Sequence, residues 1–159
     1  MKIILASHGS LAKAMLEVLH MIMGDEDNVE AFCLDTYENP VALSEAVKKK
    51  IEAAQGGAQG AAHDGAQGEH NGAQGAQGEP IVMACDIKGG SIFNHLLPFC
   101  SIPGVSLFAG MNLNLVLSLA NIQPQTEADF IEVTGEGKDG IELFNREVLE
   151  RMNNEDDDF

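Results

Sequence analysis

Residues 2–17 read KIILASHGSLAKAMLE, and two patterns meet within them. Lys2–Ser7 is an unbroken apolar run after its first lysine, the pattern of a strand buried on both faces of a sheet rather than one with a wet side. From Ser10 to Met23 the apolar residues recur at helical spacing. Leu11, Met15, Val18, Leu19 and Ile22 fall on one face and Lys13, Glu17 and His20 on the other, with Gly24 placed to end the helix. A buried strand turning through His8 and Gly9 into a helix is the opening of an α/β unit.

The alternation continues down the chain. Val29–Leu34 is a second strand, and Asn39-Pro40 starts a helix carried by Leu43, Val47 and Ile51. Pro80–Asp86 (PIVMACD) is a third buried strand, and Gly89-Gly90-Ser91 opens a helix to about Leu97. Val105–Ala109 is a fourth strand, after which Asn112 caps a helix with Leu113, Val116, Leu117 and Ala120. Near the end, 130–134 fits a strand and 126–135 fits a helix, with Gly135, Gly137 and Gly140 weakening one long helix. The expected fold is α/β: a doubly wound, mostly parallel sheet with helices on both faces.

One segment departs from this pattern. Between 54 and 79 the triplet Ala-Gln-Gly occurs five times and no large apolar side chain is present, so the segment has no means of offsetting its ordering entropy. It reads as a flexible insertion into a domain spanning 1–145, followed by an acidic tail at 146–159.

Composition narrows the function. The 159 residues carry 25 acidic and 9 basic side chains, a net charge of −16, which disfavours nucleic acid and anionic membrane surfaces as partners. No run of apolar residues is long enough to span a membrane, the first residues lack the pattern of a signal peptide, and Cys33, Cys85 and Cys100 are widely spaced and odd in number. These features fit a cytoplasmic protein with reduced thiols and no membrane insertion. The only arginines are Arg146 and Arg151, so 1–145 contain no bidentate arginine clamp for a phosphate or carboxylate. A histidine phosphatase is correspondingly disfavoured. Any phosphate is to be met by backbone amides and helix starts.

In doubly wound sheets the site lies beyond the carboxyl ends of the strands, where the strand order reverses. That rule selects Ser7-His8-Gly9-Ser10 and the loop 86–91. His8 offers an imidazole nitrogen able to attack phosphorus without first losing a proton, and Gly9 allows close approach. Asp86 can fix the ring tautomer, and Gly90 and Ser91 can cradle an anion. Each residue also has a plainer reading: a histidine ending a strand, an aspartate bonding its own turn, a serine capping a helix. Lys88 reads as a solvated loop lysine. His20 is placed in solvent, His63 and His70 in the insertion, and His95 one turn into the third helix. No residue set has metal-ligand or nucleotide-binding spacing, and no cofactor is expected.

Taken together, KIILASHGSLAKAMLE, CDIKGGSIFN, LFAGMNLNLVL and GEGKDGI resemble the enzyme IIA component of the mannose–fructose–sorbose class of bacterial sugar phosphotransferase systems. The resemblance covers about residues 2–53 and 81–141. It implies that His8 is phosphorylated by the phosphocarrier HPr, that Asp86 orients it and that Ser91 belongs to the phosphate cradle. It also implies a homodimer, and an acceptor histidine on a IIB protein, here a separate chain. Ile92 stands where the family usually has proline, and the Ala-Gln-Gly insertion is not a family feature. An alternative is a regulatory module whose phosphorylated and unphosphorylated His8 recruit different partners.

Overall fold

The computed structural model describes residues 1–56 and 78–156. Four strands form one parallel sheet in the order β2-β1-β3-β4: β1 (Lys2–Ser7), β2 (Val29–Cys33), β3 (Ile81–Cys85) and β4 (Val105–Ala109). Between and after them run α1 (Leu11–Met23), α2 (Pro40–Gly56), α3 (Ser91–Leu96), α4 (Leu113–Ile122), α5 (Glu127–Asp139) and α6 (Arg146–Asp156). The fold expected from the sequence is the fold found.

Side-chain alternation along β1 divides the core. Ile3 and Leu5 point to one face, where Ala12 and Leu19 of α1, Leu115, Val116 and Leu119 of α4, and Val133 of α5 cover them. Ile4 and Ala6 point to the other, against Leu43, Val47 and Ile51 of α2 and Ile92 and Leu96 of α3. Fully burying such an aliphatic side chain contributes about 1.5–3 kcal/mol, and strands coated on both faces must therefore be apolar throughout.

Several boundaries differ from the sequence reading. The buried face of α1 is rotated from the expected one: Ala12 and Leu19 are fully buried, Leu11 is 39% exposed and Ile22 57%. A small alanine lets α1 sit close to the sheet. β2 ends at Cys33 and passes into a single 3-10 turn, and α3 is only six residues long before Pro98 tightens the chain into another. α2 continues to Gly56, so 54–56 are helical; the rest of the Ala-Gln-Gly insertion falls largely outside the described residues. Its two ends meet, since Glu79 N–H donates to Ala54 O at 3.3 Å.

At the C-terminal end the helical alternative holds. Thr126 and Asp129 form a capping box, and α5 runs through both Gly135 and Gly137. Gly137 is there for packing: a Cβ on it would lie 3.2 Å from Leu115 Cβ, so the glycine lets α5 lie close against α4. The segment expected as an acidic tail is helical as α6 through Asp156. No described helix is long and apolar enough to cross a membrane.

Candidate active site

The chain leaves β1 toward β2 on one side and returns to β3 on the other, so the strand order reverses between β1 and β3. Ala6 is paired with Cys85 in register, which brings His8 and Asp86 together just beyond the sheet. Asp86 grips His8 through both main chain and ring. His8 N–H donates to Asp86 Oδ2 at 2.8 Å, and His8 Nδ1 lies 3.0 Å from Oδ2 and 3.2 Å from Oδ1. Ile87 N–H donates to Oδ1 at 2.9 Å, locking the carboxylate in place.

A carboxylate can only accept, so the Nδ1 position carries the proton and the neutral ring keeps its lone pair on Nε2. That nitrogen lies 3.0 Å from Ser91 Oγ, whose hydroxyl donates to it. The Asp86 side chain is 8% exposed and that of His8 38%. The orienting charge is thus shielded from water while the ring remains reachable, an arrangement that strengthens the pairing without closing the site.

Two glycines shape the loop facing the ring. Gly89 has φ +79°, a left-handed conformation that a Cβ would strain. At Gly90 a Cβ would stand 3.3 Å from His8 Cε1 and 3.3 Å from Ile87 O, so glycine lets the loop lie against the imidazole without displacing it. Gly9, at φ +57°, turns the chain from β1 into α1. Of the five residues singled out in the sequence, His8, Gly9, Asp86 and Gly90 therefore lie on the two loops after β1 and β3, and Ser91 opens α3 beside them.

The sequence reading missed the supports. Ser7, fully buried, accepts the Ala12 N–H on Oγ at 2.7 Å and so occupies one of the α1 amides expected to face an anion. A lone hydroxyl ending an apolar strand was the available signal. Asn94 Nδ2 donates to Gly89 O at 3.1 Å and fastens the glycine turn, and His95 Nδ1 donates to Ser91 O at 2.7 Å. His95 thus lies behind the site. His20 is only partly in solvent: its side chain is 34% exposed and its Nε2 is buried. His63 and His70 lie outside the described residues.

Cys85 adjoins Asp86 but is no rival nucleophile. Burial, and secondarily the Asp86 charge, pushes its thiol up to about 11, so it stays protonated at neutral pH. Lys88 is exposed, as expected. Among the described residues no three His, Cys, Asp or Glu side chains gather as they would around a metal ion.

The family model described as PTS system fructose IIA component matches residues 2–62, which include His8 but not the Asp86 loop. A sequence search of curated proteins finds no match. Solved structures extend the likeness to nearly the whole chain. A Klebsiella pneumoniae protein described as a candidate phosphoenolpyruvate-dependent sugar phosphotransferase system permease is 23% identical at a TM-score of 0.70, over 92% of this chain and 93% of that one. The IIA protein associated with the fucose utilization operon of Streptococcus pneumoniae is 21% identical at 0.64, over 95% of each chain. The mannose/sorbose-specific IIA subunit from Enterococcus faecalis is 21% identical at 0.61, over 91% of this chain and 94% of that one. At these identities the structures establish a shared fold, and the family model adds the shared sequence around the first strand and helix. The resemblance read from the sequence therefore stands: this chain is similar to the enzyme IIA components of the sugar phosphotransferase system, in sequence over its first strands and helices and in fold over nearly its whole length.

Proposed function

We propose that this chain is a phosphoryl carrier of a sugar phosphotransferase system, taking a phosphoryl group from phosphorylated HPr onto Nε2 of His8 and passing it to a histidine of a separate IIB protein. The observation that carries this reading is the two-sided hold on one imidazole, Asp86 at Nδ1 and Ser91 at Nε2. In the first transfer the Nε2 lone pair forms the new N–P bond as the P–N bond to the donor imidazole breaks, its electrons returning to the donor nitrogen. The His8 ring gains positive charge, which the adjacent carboxylate stabilises. Ser91 Oγ is then free to donate to a phosphoryl oxygen. The second transfer is the same step in reverse toward the IIB histidine. Positioning and electrostatics supply the catalysis, because the donor is already an activated phosphoramidate.

Exposed Ile87 stands on the loop after Asp86 and exposed Leu11 opens α1 three residues after His8, supplying apolar contact for a docking protein. The resemblance also supports a cytoplasmic homodimer, with sugar specificity residing in the membrane components.

Incubation with phosphorylated HPr and mapping of the product tests the proposal. The expected product is an acid-labile, base-stable phosphoryl group on His8, absent from His8→Ala. Full phosphorylation of His8→Ala at His20 or His95 would overturn it. Phosphorylation at His8 with no onward transfer to any IIB protein would point to the regulatory module instead.

A further inference from the structure

Asp86, His8 and Ser91 stand in line as the members of an acyl-transfer triad do. The shielded Asp86 carboxylate lies 3.0 Å from Nδ1 of the ring, and the Ser91 hydroxyl lies 3.0 Å from Nε2. Both contacts fall within the roughly 2.6–3.2 Å at which a base draws a proton from a nucleophile while a third group orients the base. The tautomer fixes the direction of the second bond. Asp86 holds the Nδ1 proton, so the Nε2 lone pair faces Ser91 and the hydroxyl hydrogen points at it. A phosphoryl group arriving at Nε2 must first displace this hydroxyl. An ester arriving at Ser91 uses the hydrogen bond as it stands.

The backbone presents Ser91 as a nucleophile. Ser91 is the first residue of α3, reached from β3 through a tight turn in which Gly89 has φ +79°. Nucleophilic serines of hydrolases built on a parallel sheet stand at the same kind of strand-to-helix turn. The capping position belongs to Gly90, so Ser91 is not spent on capping the helix. From behind, His95 Nδ1 donates to Ser91 O at 2.7 Å and Asn94 Nδ2 donates to Gly89 O at 3.1 Å, which brace the turn. On the outer side a Cβ at Gly89 would meet nothing within 4 Å, and both Ser91 and the His8 ring are partly exposed. A small molecule therefore has a path to the hydroxyl.

The geometry points to a second activity of this site: Ser91 is a nucleophile toward small activated carboxylic esters, with His8 as its base and Asp86 positioning the ring. Ser91 Oγ bonds to the carbonyl carbon as its proton passes to Nε2. The adduct collapses by breaking the carbon–oxygen bond to the alcohol, which leaves with the proton from Nε2. Water then attacks the acyl group on Ser91 and gives a proton to Nε2, and the Ser91 oxygen departs with that proton. Ester and water become acid and alcohol, and the site returns to its starting state. A phosphoryl group on Nε2 removes the base, so the two chemistries exclude one another at any moment. The ester chemistry itself does not rest on the carrier reading.

Incubation of the full chain with p-nitrophenyl acetate tests it, with acid-quenched samples mapped by mass spectrometry and circular dichroism confirming the fold of each variant. The acetyl group is expected on Ser91, and Ser91→Ala and His8→Ala are each expected to slow release of p-nitrophenolate at least about tenfold. A fluorophosphonate probe, which bonds to an activated serine oxygen as fluoride leaves, is expected to label Ser91 in the parent and not in His8→Ala. An imidazole can attack an aryl ester directly, so Ser91→Ala is the deciding variant. Undiminished release by Ser91→Ala, with the acetyl group on His8, would make His8 the nucleophile and overturn the proposal. A parent chain whose Ser91 the probe leaves unlabelled would overturn it equally. Neither result touches phosphorylation of His8 by phosphorylated HPr, which is read in its own assay, and failure of that assay leaves the ester chemistry standing.

Discussion

Asp86 receives His8 twice on a single oxygen: the His8 backbone N–H donates to Oδ2 at 2.8 Å and the ring Nδ1 lies 3.0 Å from the same atom. Backbone and ring are therefore positioned by one carboxylate, and the direction of Nε2 follows from where Asp86 sits.

Replacing Asp86 by Asn retains the shape but offers a donor where the His8 or Ile87 amide needs an acceptor. Orienting partners of this kind commonly contribute 10²–10⁴ in rate, so Asp86→Asn is expected to slow transfer from phosphorylated HPr at least about tenfold, by rapid-mixing measurement. The amide left without its carboxylate partner is half-buried at His8 and exposed at Ile87, so water can replace the lost acceptor and the stability loss in urea unfolding is expected to stay below about 1.5 kcal/mol. A rate within about twofold of the parent would reduce Asp86 to a turn residue.

Gly90→Ala tests the close approach of the loop to the ring. The new Cβ, 3.3 Å from His8 Cε1, must push the imidazole or the loop by a few tenths of an ångström. Misplacement on this scale is expected to lower the transfer rate about tenfold or more, with stability changed by less than about 1.5 kcal/mol. An unchanged rate in the phosphorylation assay would show that the ring accommodates the methyl group.

The two glycines inside α5 predict opposite outcomes. Gly135 has open space where a Cβ would go, so Gly135→Ala is expected to stabilise the chain by about 0.5–1 kcal/mol through helix propensity. Gly137→Ala gains the same propensity but drives a methyl group against Leu115, at a cost of about 1–3 kcal/mol. Its denaturant midpoint should fall below that of Gly135→Ala. Equal midpoints would mean that α4 and α5 separate at no cost.

Asp129 gives a pH dependence. The backbone N–H of Gln125 first, then that of Thr126, holds its carboxyl below the ordinary value of 3.8. A depressed folded-state value means that the contribution is complete above the ordinary carboxylate range and is lost as pH falls through the folded value. Urea unfolding of the parent and Asp129→Ala should therefore show a gap that is steady near neutrality and narrows in the acidic limb. A gap that widens on acidification would assign the effect to another group.

The sequence by itself determined the sheet and pointed to the candidate site. A strand buried on both faces is apolar along its length, so β1 and β3 declared themselves in KIILAS and PIVMAC, and the chemistry-bearing His8 and Asp86 stood directly after them. Local signals also sufficed where their physics is local: Gly24 ends α1, Asn39 and Asn112 cap helices, and Gly89 takes a positive φ. What only the tertiary structure decided was everything set by distance across the chain. That Asp86 meets Nδ1 and Ser91 meets Nε2 depends on parallel register between strands far apart in sequence. The rotation of α1 onto Ala12 follows from how closely the helix approaches the sheet, which hydrophobic periodicity does not encode. Gly137 reads as a helix breaker in isolation and becomes a contact point only once Leu115 lies against it, because a missing side chain has meaning only beside the neighbour that fills its space.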